Sequence, residues 1–581
     1  MRALWGPLLA FAGLVACGEE PGETLLGTLD GGVLDGGATA DAGVEPPVDP
    51  TEAVFAPEHL IEVDVELAPE DWEVLRNQAR TFAELFGPSL CVDSPPVSPY
   101  TYFPAEVTID GQTFDQVGIR KKGFFGSVNP IKPSLKLKFD EYVMDQEFSG
   151  FERMTFNNGR QGNDRSTIHQ CVGYNLFAAA GIAAPRCNHA RISVNGEPLG
   201  VFVHIDSIKK RFLRRFFDDD EGALFEGALS DFRPVYIETF QRKTNKEIMD
   251  RSELDAVAEA LLLDDSELLP ALGALVEIDE FITFWALEVL IQHWDGYTSF
   301  NNNNYYIYKN PDTGRFHFIP WGADAILGFG PQDQAGTVFL SGLLARRLHE
   351  HPDTAEQFYV RLAELMSTVW DELEILTYIR ETEILVRPYI APANLELFEA
   401  SLQSLRDFVQ RRRSEVEALL AAPRPELQPI RPPLCLNPVG ELSGTFETEW
   451  GTFPTQNPFA FGSGTFTATV GEQGFVGQTV AAVAGPNEEG TAIIQIPAQF
   501  ADRSIGALVI YMPPERVVPG ATVALDVQSP SGAVLFYIPQ PGAEAENVGT
   551  ISNGEVTFDV ASTMDGAPIV GTFRGQIIEN L

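Results

Sequence analysis

A proline-rich segment, residues 423–435, separates two parts of this 581-residue chain. Proline lacks a backbone N–H and fixes φ, so a run of prolines cannot continue a helix or lie inside a sheet. The segment follows a long helical pattern that ends in "RRRSEVEALLAAP", and it precedes a region of short strands. We therefore predict one domain over residues 51–422, a linker over 423–435 and a second domain over 436–581.

Residues 436–581 have the pattern of an all-β domain. Short alternating runs recur between Gly, Pro and Asn turns, for example "SGTFTATV", "TAIIQIPAQF" and "GALVIYM". Alternation of apolar and polar residues is typical of strands with one buried face. The region has three arginines and no lysine, histidine or cysteine, and no catalytic pattern is visible in it. We predict a β-sandwich-like domain.

Residues 51–422 mix strand and helix patterns. The turn pairs Asp-Gly in "VTIDGQTF" and Asn-Gly in "ISVNGEPL" each separate two alternating runs, which predicts two β-hairpins. The segment "DEFITFWALEVLIQHW" is apolar on nearly every side, which predicts a buried helix just before Asp295. A third hairpin is predicted at "NNYYIYKNPDTGRFHFIPW", and residues 353–421 are mainly helical. The mixture indicates an α+β fold.

The first residues have the pattern of an export signal. "MRALWGPLLAFAGLVACGEE" contains one arginine and then a mostly apolar run that is too short to span a bilayer. The run ends in "LVAC", which resembles the bacterial lipoprotein box, and the resemblance implies a lipid on Cys17. An ordinary signal peptide is the alternative. We predict a signal over residues 1–17 and a disordered, acidic, Gly- and Pro-rich tether over 18–50.

Charge and cysteines limit the partners and the compartment. Lys and Arg number 40 against 82 Asp and Glu, and the net charge of −42 repels nucleic acid and anionic lipid head groups. We expect no nucleic-acid partner, and membrane contact only through the N-terminal lipid. Cys91, Cys171, Cys187 and Cys435 are an even set typical of disulfides, with three pairings open. We expect a lipoprotein of the bacterial cell envelope, held at the outer membrane as Gly18 favours.

One ordered set of segments stands out in the first domain. A basic strand ends in a glycine-containing turn at "GIRKKGFFGS", and the lysine strand "KPSLKLKF" follows. A hairpin then runs into an acid at "NGEPLGVFVHID", and "HWDGYTSFNNNNYYIYKN" and "GRFHFIPWGAD" come last. Over about residues 55–420 this order resembles the CotH family of spore-coat kinase-like proteins. The hairpin "NNYYIYKNPDTGRFHFIPW" is the most specific match.

The resemblance implies an atypical kinase that uses ATP and Mg²⁺ or Mn²⁺ to phosphorylate Ser or Thr of a protein. Such chemistry requires cations beside the phosphates, metal ligands, and a carboxylate that orients the acceptor hydroxyl. Asp295 matches the family's catalytic aspartate, and Asn304 and Asp324 match its metal ligands. We expect the buried helix and the third hairpin to bring these three together in one cleft. The residues expected at the nucleotide are Arg120, Lys122, Lys132, Lys136, Asp206 and Asn304; Asp206 stands where the family has Glu and is expected to pair with a lysine.

The chain departs from the family pattern at one acid. Where the family has Trp-Asp-x-Asp, this chain has Trp321-Gly322-Ala323-Asp324. Loss of one carboxylate weakens the binding of a divalent metal. A second hypothesis is therefore a catalytically inactive scaffold or adhesion module that binds an envelope partner. Taken alone, Asp295 is also typical of a turn, and the lysines are typical of the solvated face of an edge strand.

Overall fold

The computed structural model describes residues 49–80, 83–86, 90–124, 129–159, 165–329, 336–427, 430, 433–487, 490–526, 531–540 and 543–579. The predicted signal with Cys17, nearly all of the predicted tether and part of the linker lie outside the described residues. Among the described helices, none combines the length and the apolar character needed to cross a bilayer.

Seven strands near the start of the described chain form a closed barrel. They are β1 (Leu60–Glu66), β2 (Phe103–Ile109), β3 (Gln112–Lys122), β4 (Ser134–Lys138), β5 (Arg153–Asn157), β6 (Cys187–Val194) and β7 (Glu197–Ile205). Neighbours pair antiparallel in the order β1-β2-β3-β4-β5-β7-β6, and β6 closes the barrel by pairing in parallel with β1. Successive side chains alternate between the two faces of a strand. Leu135 and Leu137 accordingly lie in the barrel core, while Lys136 between them faces outward.

Two predicted hairpins lie in this barrel. Asp110-Gly111 connects β2 to β3, Asn195-Gly196 connects β6 to β7, and all four residues have positive φ. Positive φ at both central residues defines the type I′ turn, in which Asn or Asp followed by Gly is favoured. Both hairpin predictions are confirmed.

A helical region with a four-stranded sheet follows the barrel. Its strands are β8 (Ala223–Gly227), β9 (Gln241–Arg242), β10 (Tyr305–Lys309) and β11 (Phe316–Pro320), in the order β11-β10-β8-β9. The third predicted hairpin is β10 with β11, where Ile307 pairs with Phe318. Within the described ranges, the α-helices are α1 (Pro69–Asn77), α2 (His169–Ala179), α3 (Lys210–Phe216), α4 (Ser252–Ala260), α5 (Asp265–Gly273), α6 (Ile278–Leu290), α7 (Leu343–Glu350), α8 (Pro352–Thr368), α9 (Glu372–Val386) and α10 (Leu395–Ala421).

Helix α6 is the buried helix that the sequence predicts. All residues of Phe281–Leu290 are buried, which explains why the segment is apolar on nearly every side. Its C-terminal carbonyl groups are bound by Arg412 of α10, a fully buried guanidinium. Arg412 donates to the carbonyl oxygens of Val289 at 2.7 Å and Leu290 at 2.8 Å. The end of α6, a few residues before Asp295, is therefore fixed by a side chain distant in sequence.

The residues after the linker form one curled sheet. Its strands are β12 (Pro438–Glu449), β13 (Ser463–Val470), β14 (Gln473–Val476), β15 (Thr479–Val480), β16 (Val483–Pro486), β17 (Ala492–Gln499), β18 (Ile505–Met512), β19 (Thr522–Leu525), β20 (Gly532–Ile538), β21 (Glu546–Val560) and β22 (Pro568–Ile578). The order is β14-β13-β12-β22-β21-β20-β18-β17-β15, with β16 on β17 and β19 on β21. The edges meet where Gly477 N–H donates to Phe466 and Gln478 N–H donates to Gln499. The α+β class with a C-terminal all-β region is confirmed.

Two disulfides resolve the pairing that the sequence left open. Cys171 of α2 is bonded to Cys187 of β6. Cys91 is bonded to Cys435 across a sequence separation of 344 residues, which ties the first domain to the start of the curled sheet. A small apolar cluster beside this second bond joins the two domains; its buried members are Leu85, Val92, Leu436 and Ile578.

His204 is a buried histidine in the wall of the barrel. Its Nδ1 lies 2.8 Å from Oδ1 of Asn188, and its ring stacks on Phe55 at 5.0 Å. Its Nε2 has no hydrogen-bond partner within the described part of the chain. Burial, and then the nearby Arg186, lower the pKa of His204 to about 3. Folded His204 therefore stays neutral at pH values where a histidine in the unfolded chain is protonated.

This histidine is expected to weaken the fold in mild acid. Below about pH 6.5 the unfolded state binds a proton that the folded state rejects, so the free energy of unfolding should fall by up to about 1.4 kcal/mol per pH unit. Urea unfolding at pH 7 and pH 5 measures this loss. His204→Gln should reduce the loss, because glutamine does not titrate. An equal loss in wild type and His204→Gln would contradict the assignment.

Candidate functional site

The outer face of the barrel carries a row of polar side chains. Arg120 of β3 is in register with Lys136 of β4, and Lys136 is in register with Thr155 of β5. Residues in register on neighbouring strands share a face. Lys122 and Asn157 continue this face by two residues each, and the Lys122 ammonium donates to the amide oxygen of Asn157. A basic face therefore lies outside the barrel core.

Asp295 lies in the loop after α6, in a ring of amides. Its carboxylate accepts hydrogen bonds from the side-chain N–H groups of Asn301 at 2.7 Å, Asn303 at 3.2 Å and Asn304 at 2.7 Å. Burial raises the pKa of Asp295, and these amides oppose the rise. Asn302 and Asn304 have positive φ, which asparagine tolerates better than most residues. The asparagine run therefore folds back on Asp295.

Asp324 lies in the loop after β11, next to the Asp295 loop. The Trp294 N–H donates to the Ala325 carbonyl at 3.1 Å, and the Trp321 N–H donates to the Asn304 carbonyl at 3.2 Å, so the two loops are hydrogen-bonded to each other. Within the described residues, Oδ1 of Asp324 is buried and has no hydrogen-bond partner. Burial, and then the charge of Asp295, raise the pKa of Asp324. The two acids therefore share one low-dielectric space.

Lys122 interacts electrostatically with Asp324 of this acid pair. Its ammonium lies 5.9 Å from the ring centroid of Trp321, and Asn157, which accepts from it, donates to Gln170 of α2 at 3.0 Å. Burial lowers the pKa of Lys122, and Asp324 and Glu226 oppose that effect. Lys122 thus connects the basic face of the barrel to the acid-bearing loops.

Lys136 lies near Lys122, and Glu226 of β8 lies near Lys136. Burial, and then Arg120 and Lys209, hold the pKa of Lys136 well below its usual range. Glu226 forms a salt bridge with Lys243, and this lysine, together with Lys136, lowers the pKa of Glu226 despite its burial. Several basic side chains therefore lie close together on this side of the site, an arrangement that favours an anionic ligand.

Two of the residues predicted at the nucleotide, Lys132 and Arg120, have other partners. Lys132 donates to the carbonyl of Val201 and lies 4.7 Å from the ring centroid of Phe202, so its ammonium is engaged with β7. The charge of Arg120 acts on Lys136, but its guanidinium is engaged elsewhere. It donates to Ser98 Oγ at 3.2 Å and lies 5.2 Å from the ring centroid of Tyr102.

Asp206 does not form the lysine pair that we expected. Its Oδ2 accepts from Arg186 at 3.0 Å and from Arg215 at 2.8 Å. Arg186 also contacts Glu52 at 2.8 Å, which ties the first described residues to the barrel. The pairing of β6 with β7 brings Arg186 beside Asp206, because Cys187 is in register with Ile205 and the Asp206 N–H donates to the Arg186 carbonyl at 3.0 Å. Its partners are therefore those of a structural salt bridge.

Gly322 stands where the family pattern has an acid, and it adopts a left-handed φ of +51°. A β-carbon at this position would lie 2.2 Å from Oδ1 of Asn304. The side chain of Asn304 therefore occupies the room that a residue-322 side chain would need. An amide oxygen, and not a carboxylate, is available here as a ligand.

Sequence patterns did not reveal Glu226, Lys209 or Lys243. A lone glutamate within the apolar strand "ALFEGA" is a weak signal of a buried ion pair, and it could have indicated Glu226. Lys209 and Lys243 carry no comparable signal, because Lys209 lies in an irregular segment just before α3 and Lys243 lies just after the two-residue strand β9. Only the three-dimensional fold brings them beside Lys136.

The residues present fit a divalent cation only together with ligand phosphates. No group of three or more His, Cys, Asp or Glu side chains in the described ranges is placed to hold a metal. Asp324 supplies a carboxylate whose unpartnered Oδ1 has a free coordination direction, and Asn304 adds an amide oxygen. Mg²⁺ is commonly bound by one or two carboxylates plus substrate phosphates. The donor set matches that use.

Two acids in hydrogen-bonded loops beside lysines are an arrangement suited to a phosphate-binding, kinase-like protein. The family model described as CotH kinase protein matches residues 119–416, just over half of the chain. The chain belongs to the CotH kinase family. Asp295, Asn304 and Asp324 all lie within the matched residues.

Two curated relatives are similar over part of their length. Inner spore coat protein H of Bacillus subtilis (strain 168) is 24% identical over 241 residues, 38% of this chain and 64% of that protein. Invasin CotH7 of Rhizopus delemar is 20% identical over 251 residues, 39% of this chain and 42% of that protein. The chain thus covers less than two thirds of the length of either relative. The crystal structure of the Helicobacter pylori proinflammatory kinase CtkA overlaps 58% of this chain and 95% of that chain, with 11% identity and a TM-score of 0.26.

Proposed function

We propose that this chain is a protein kinase that transfers the γ-phosphate of ATP to Ser or Thr of a surface or secreted protein. One observation carries the proposal: the buried Asp295 and the half-buried Asp324 lie in hydrogen-bonded loops beside Lys122, and one buried Asp324 oxygen has no partner among the described residues. Like charges in a low-dielectric space are costly unless a cationic ligand joins them. ATP with a divalent cation supplies both the cation and an anion for the lysines.

The residues divide into three roles. Asp295 accepts the proton of the Ser or Thr hydroxyl while the oxygen of that hydroxyl bonds to the γ-phosphorus of ATP. The bond from the γ-phosphorus to the β,γ-bridging oxygen breaks, and ADP is released. Lys122 and Lys136 balance the phosphate charge. Asp324 and Asn304 would hold Mg²⁺ or Mn²⁺, which when bound neutralises charge on the β- and γ-phosphates.

The protein that receives the phosphate is expected in the cell envelope. The two disulfides favour an oxidising compartment, and the pattern ending at Cys17 favours export with a lipid anchor. The net charge of −42 disfavours nucleic acid as a partner. We propose a lipoprotein of the outer membrane whose acceptor is an envelope protein. The name of the relative inner spore coat protein H refers to a surface layer, the spore coat, which supports an acceptor in a surface structure.

Label transfer tests the proposal. The full chain with γ-labelled ATP and Mg²⁺ or Mn²⁺ should label Ser or Thr of itself or of added envelope protein, and chelation of the metal should abolish the labelling. ATP with metal should also raise the melting temperature, because a ligand that prefers the folded state stabilises it. Label that persists at the same level after chelation would contradict the proposal.

A non-catalytic scaffold is the second candidate, and Gly322 favours it. The acid of the family pattern is absent, and the Asn304 side chain fills its place, so the site has one carboxylate fewer for a metal. This candidate predicts no label transfer and no change in melting temperature at millimolar ATP with metal. The two measurements therefore separate the candidates.

A further inference from the structure

Glu288 is a buried acid with hydrogen-bond partners in the loop that carries Asp295. Its fully buried side chain lies in the last turn of α6. One carboxylate oxygen accepts from the Tyr297 N–H at 3.0 Å and lies 3.1 Å from Nδ1 of His293. The other accepts from the N–H of Thr298 at 2.8 Å and from its hydroxyl at 2.7 Å. A buried carboxylate is costly unless hydrogen bonds compensate it, and these four contacts do so.

The backbone at Gly296 packs directly against this carboxylate. A β-carbon at residue 296 would lie 2.1 Å from Oε1 of Glu288 and 2.7 Å from Nδ1 of His293. Only glycine allows so close an approach of the chain. The "DG" pair of this loop therefore has a packing role toward Glu288.

Both sides of Asp295 are consequently held. His293 precedes it and Gly296 to Thr298 follow it, and Glu288 contacts both flanks. A misplacement of a reacting group by about 1 Å can reduce a rate by roughly 100-fold. We propose that Glu288 is a positioning residue that sets the location of the Asp295 carboxylate for phosphate transfer. This inference rests on the proposed kinase function.

Helix α6 offers a matched control for this role. Glu280, in its first turn, has an oxygen 2.7 Å from Nδ1 of His317, so it is a second glutamate–histidine pair on the same helix. Glutamine keeps the size of glutamate but replaces one acceptor oxygen with an NH₂ group, which cannot accept from an N–H. The same substitution can therefore be compared at the two ends of α6.

In the full chain, Glu288→Gln should reduce kcat by roughly 100-fold, with the KM for ATP changed by less than about twofold. Glu280→Gln should leave kcat within about threefold of wild type. Hydrogen exchange of Glu288→Gln should be faster at residues 293–304 and unchanged in the barrel. A purely structural role would not separate kcat from KM in this way.

Three outcomes decide the inference. A similar loss of kcat in the two glutamine variants, or faster exchange along all of α6, would overturn it. If the wild-type chain transfers no phosphate, the proposed function fails, and the exchange pattern at residues 293–304 still tests whether Glu288 holds the loop. If Glu288→Gln does not fold, Thr298→Val removes one donor, and kcat within about twofold of wild type would count against the inference.

Discussion

Replacing Asp295 by asparagine is expected to reduce phosphate transfer by roughly a thousandfold, because a positioned proton acceptor contributes about 10²–10⁴ to such rates. The asparagine side chains around Asp295 donate to its carboxylate and are not basic enough to take a proton themselves. An amide at residue 295 would keep the shape of the site but remove the only proton acceptor that we assign to it. The rate of label transfer from ATP at saturating nucleotide measures the effect.

Two further variants separate chemistry from folding. Asp295→Ala should be as inactive as the asparagine variant, because both lack the carboxylate. Asp312→Asn makes the same chemical change in the turn between β10 and β11, at an exposed residue, and should transfer phosphate normally. The two asparagine variants should retain the wild-type melting temperature within a few degrees, because the amides around residue 295 can rotate to satisfy a new donor. Asp295→Ala should melt lower, because it leaves those amides without their acceptor. Transfer by Asp295→Asn above about a tenth of the wild-type rate would exclude the proton-acceptor role.

Replacing Arg412 by methionine is expected to destabilise the first domain by about 3–5 kcal/mol. This guanidinium is fully buried, binds the last carbonyl groups of α6, and pairs with Glu415 at 2.9 Å. Without it, the carbonyl oxygens of Val289 and Leu290 each lose a donor in the interior, although Val289 keeps the Gln292 N–H at 3.1 Å. Glu415 also loses a partner. Chemical denaturation of the full chain, followed by fluorescence of the buried Trp285, measures the loss.

The neighbouring arginine provides the comparison. Arg411 also pairs with Glu415, at 2.9 Å, but its side chain is nearly half exposed, so Arg411→Met should cost about 1 kcal/mol or less. The Arg412 variant should in addition bind ATP more weakly, because α6 leads directly into the Asp295 loop. Equal stability of the two variants would show that the burial of Arg412 is not what stabilises the end of α6.

Local sequence patterns predict the elements of the site because hydrophobic periodicity acts within one element. The apolar run before Asp295 is the buried helix α6, and the aromatic alternation after Asn304 is the β10–β11 hairpin. Turn chemistry also acts locally, and Asn195-Gly196 forms the predicted type I′ turn. These elements place Asp295 and Asn304 within hydrogen-bond distance, as the resemblance to the family implies.

Partners distant in sequence could not be predicted in this way. Period-two alternation identifies the two faces of β4, but it does not say that Lys136 faces a cleft while Lys132 contacts β7. The parallel pairing of β6 with β1 and the arginine partners of Asp206 depend on how the barrel closes. The role of Glu226 depends on Lys243, which reaches it only through the pairing of β8 with β9.

The bond between Cys91 and Cys435 has a mechanical consequence when the first described residues and the curled sheet are pulled apart. A pulling force between the first described residues and the curled sheet follows covalent bonds along residues 49–91 and then crosses directly to Cys435. The intervening chain, which contains Asp295 and Asp324, carries no covalent tension along this route. Load on the C-terminal region would therefore reach β1 and its flanking segments through covalent bonds, while the loops of Asp295 and Asp324 lie outside this route.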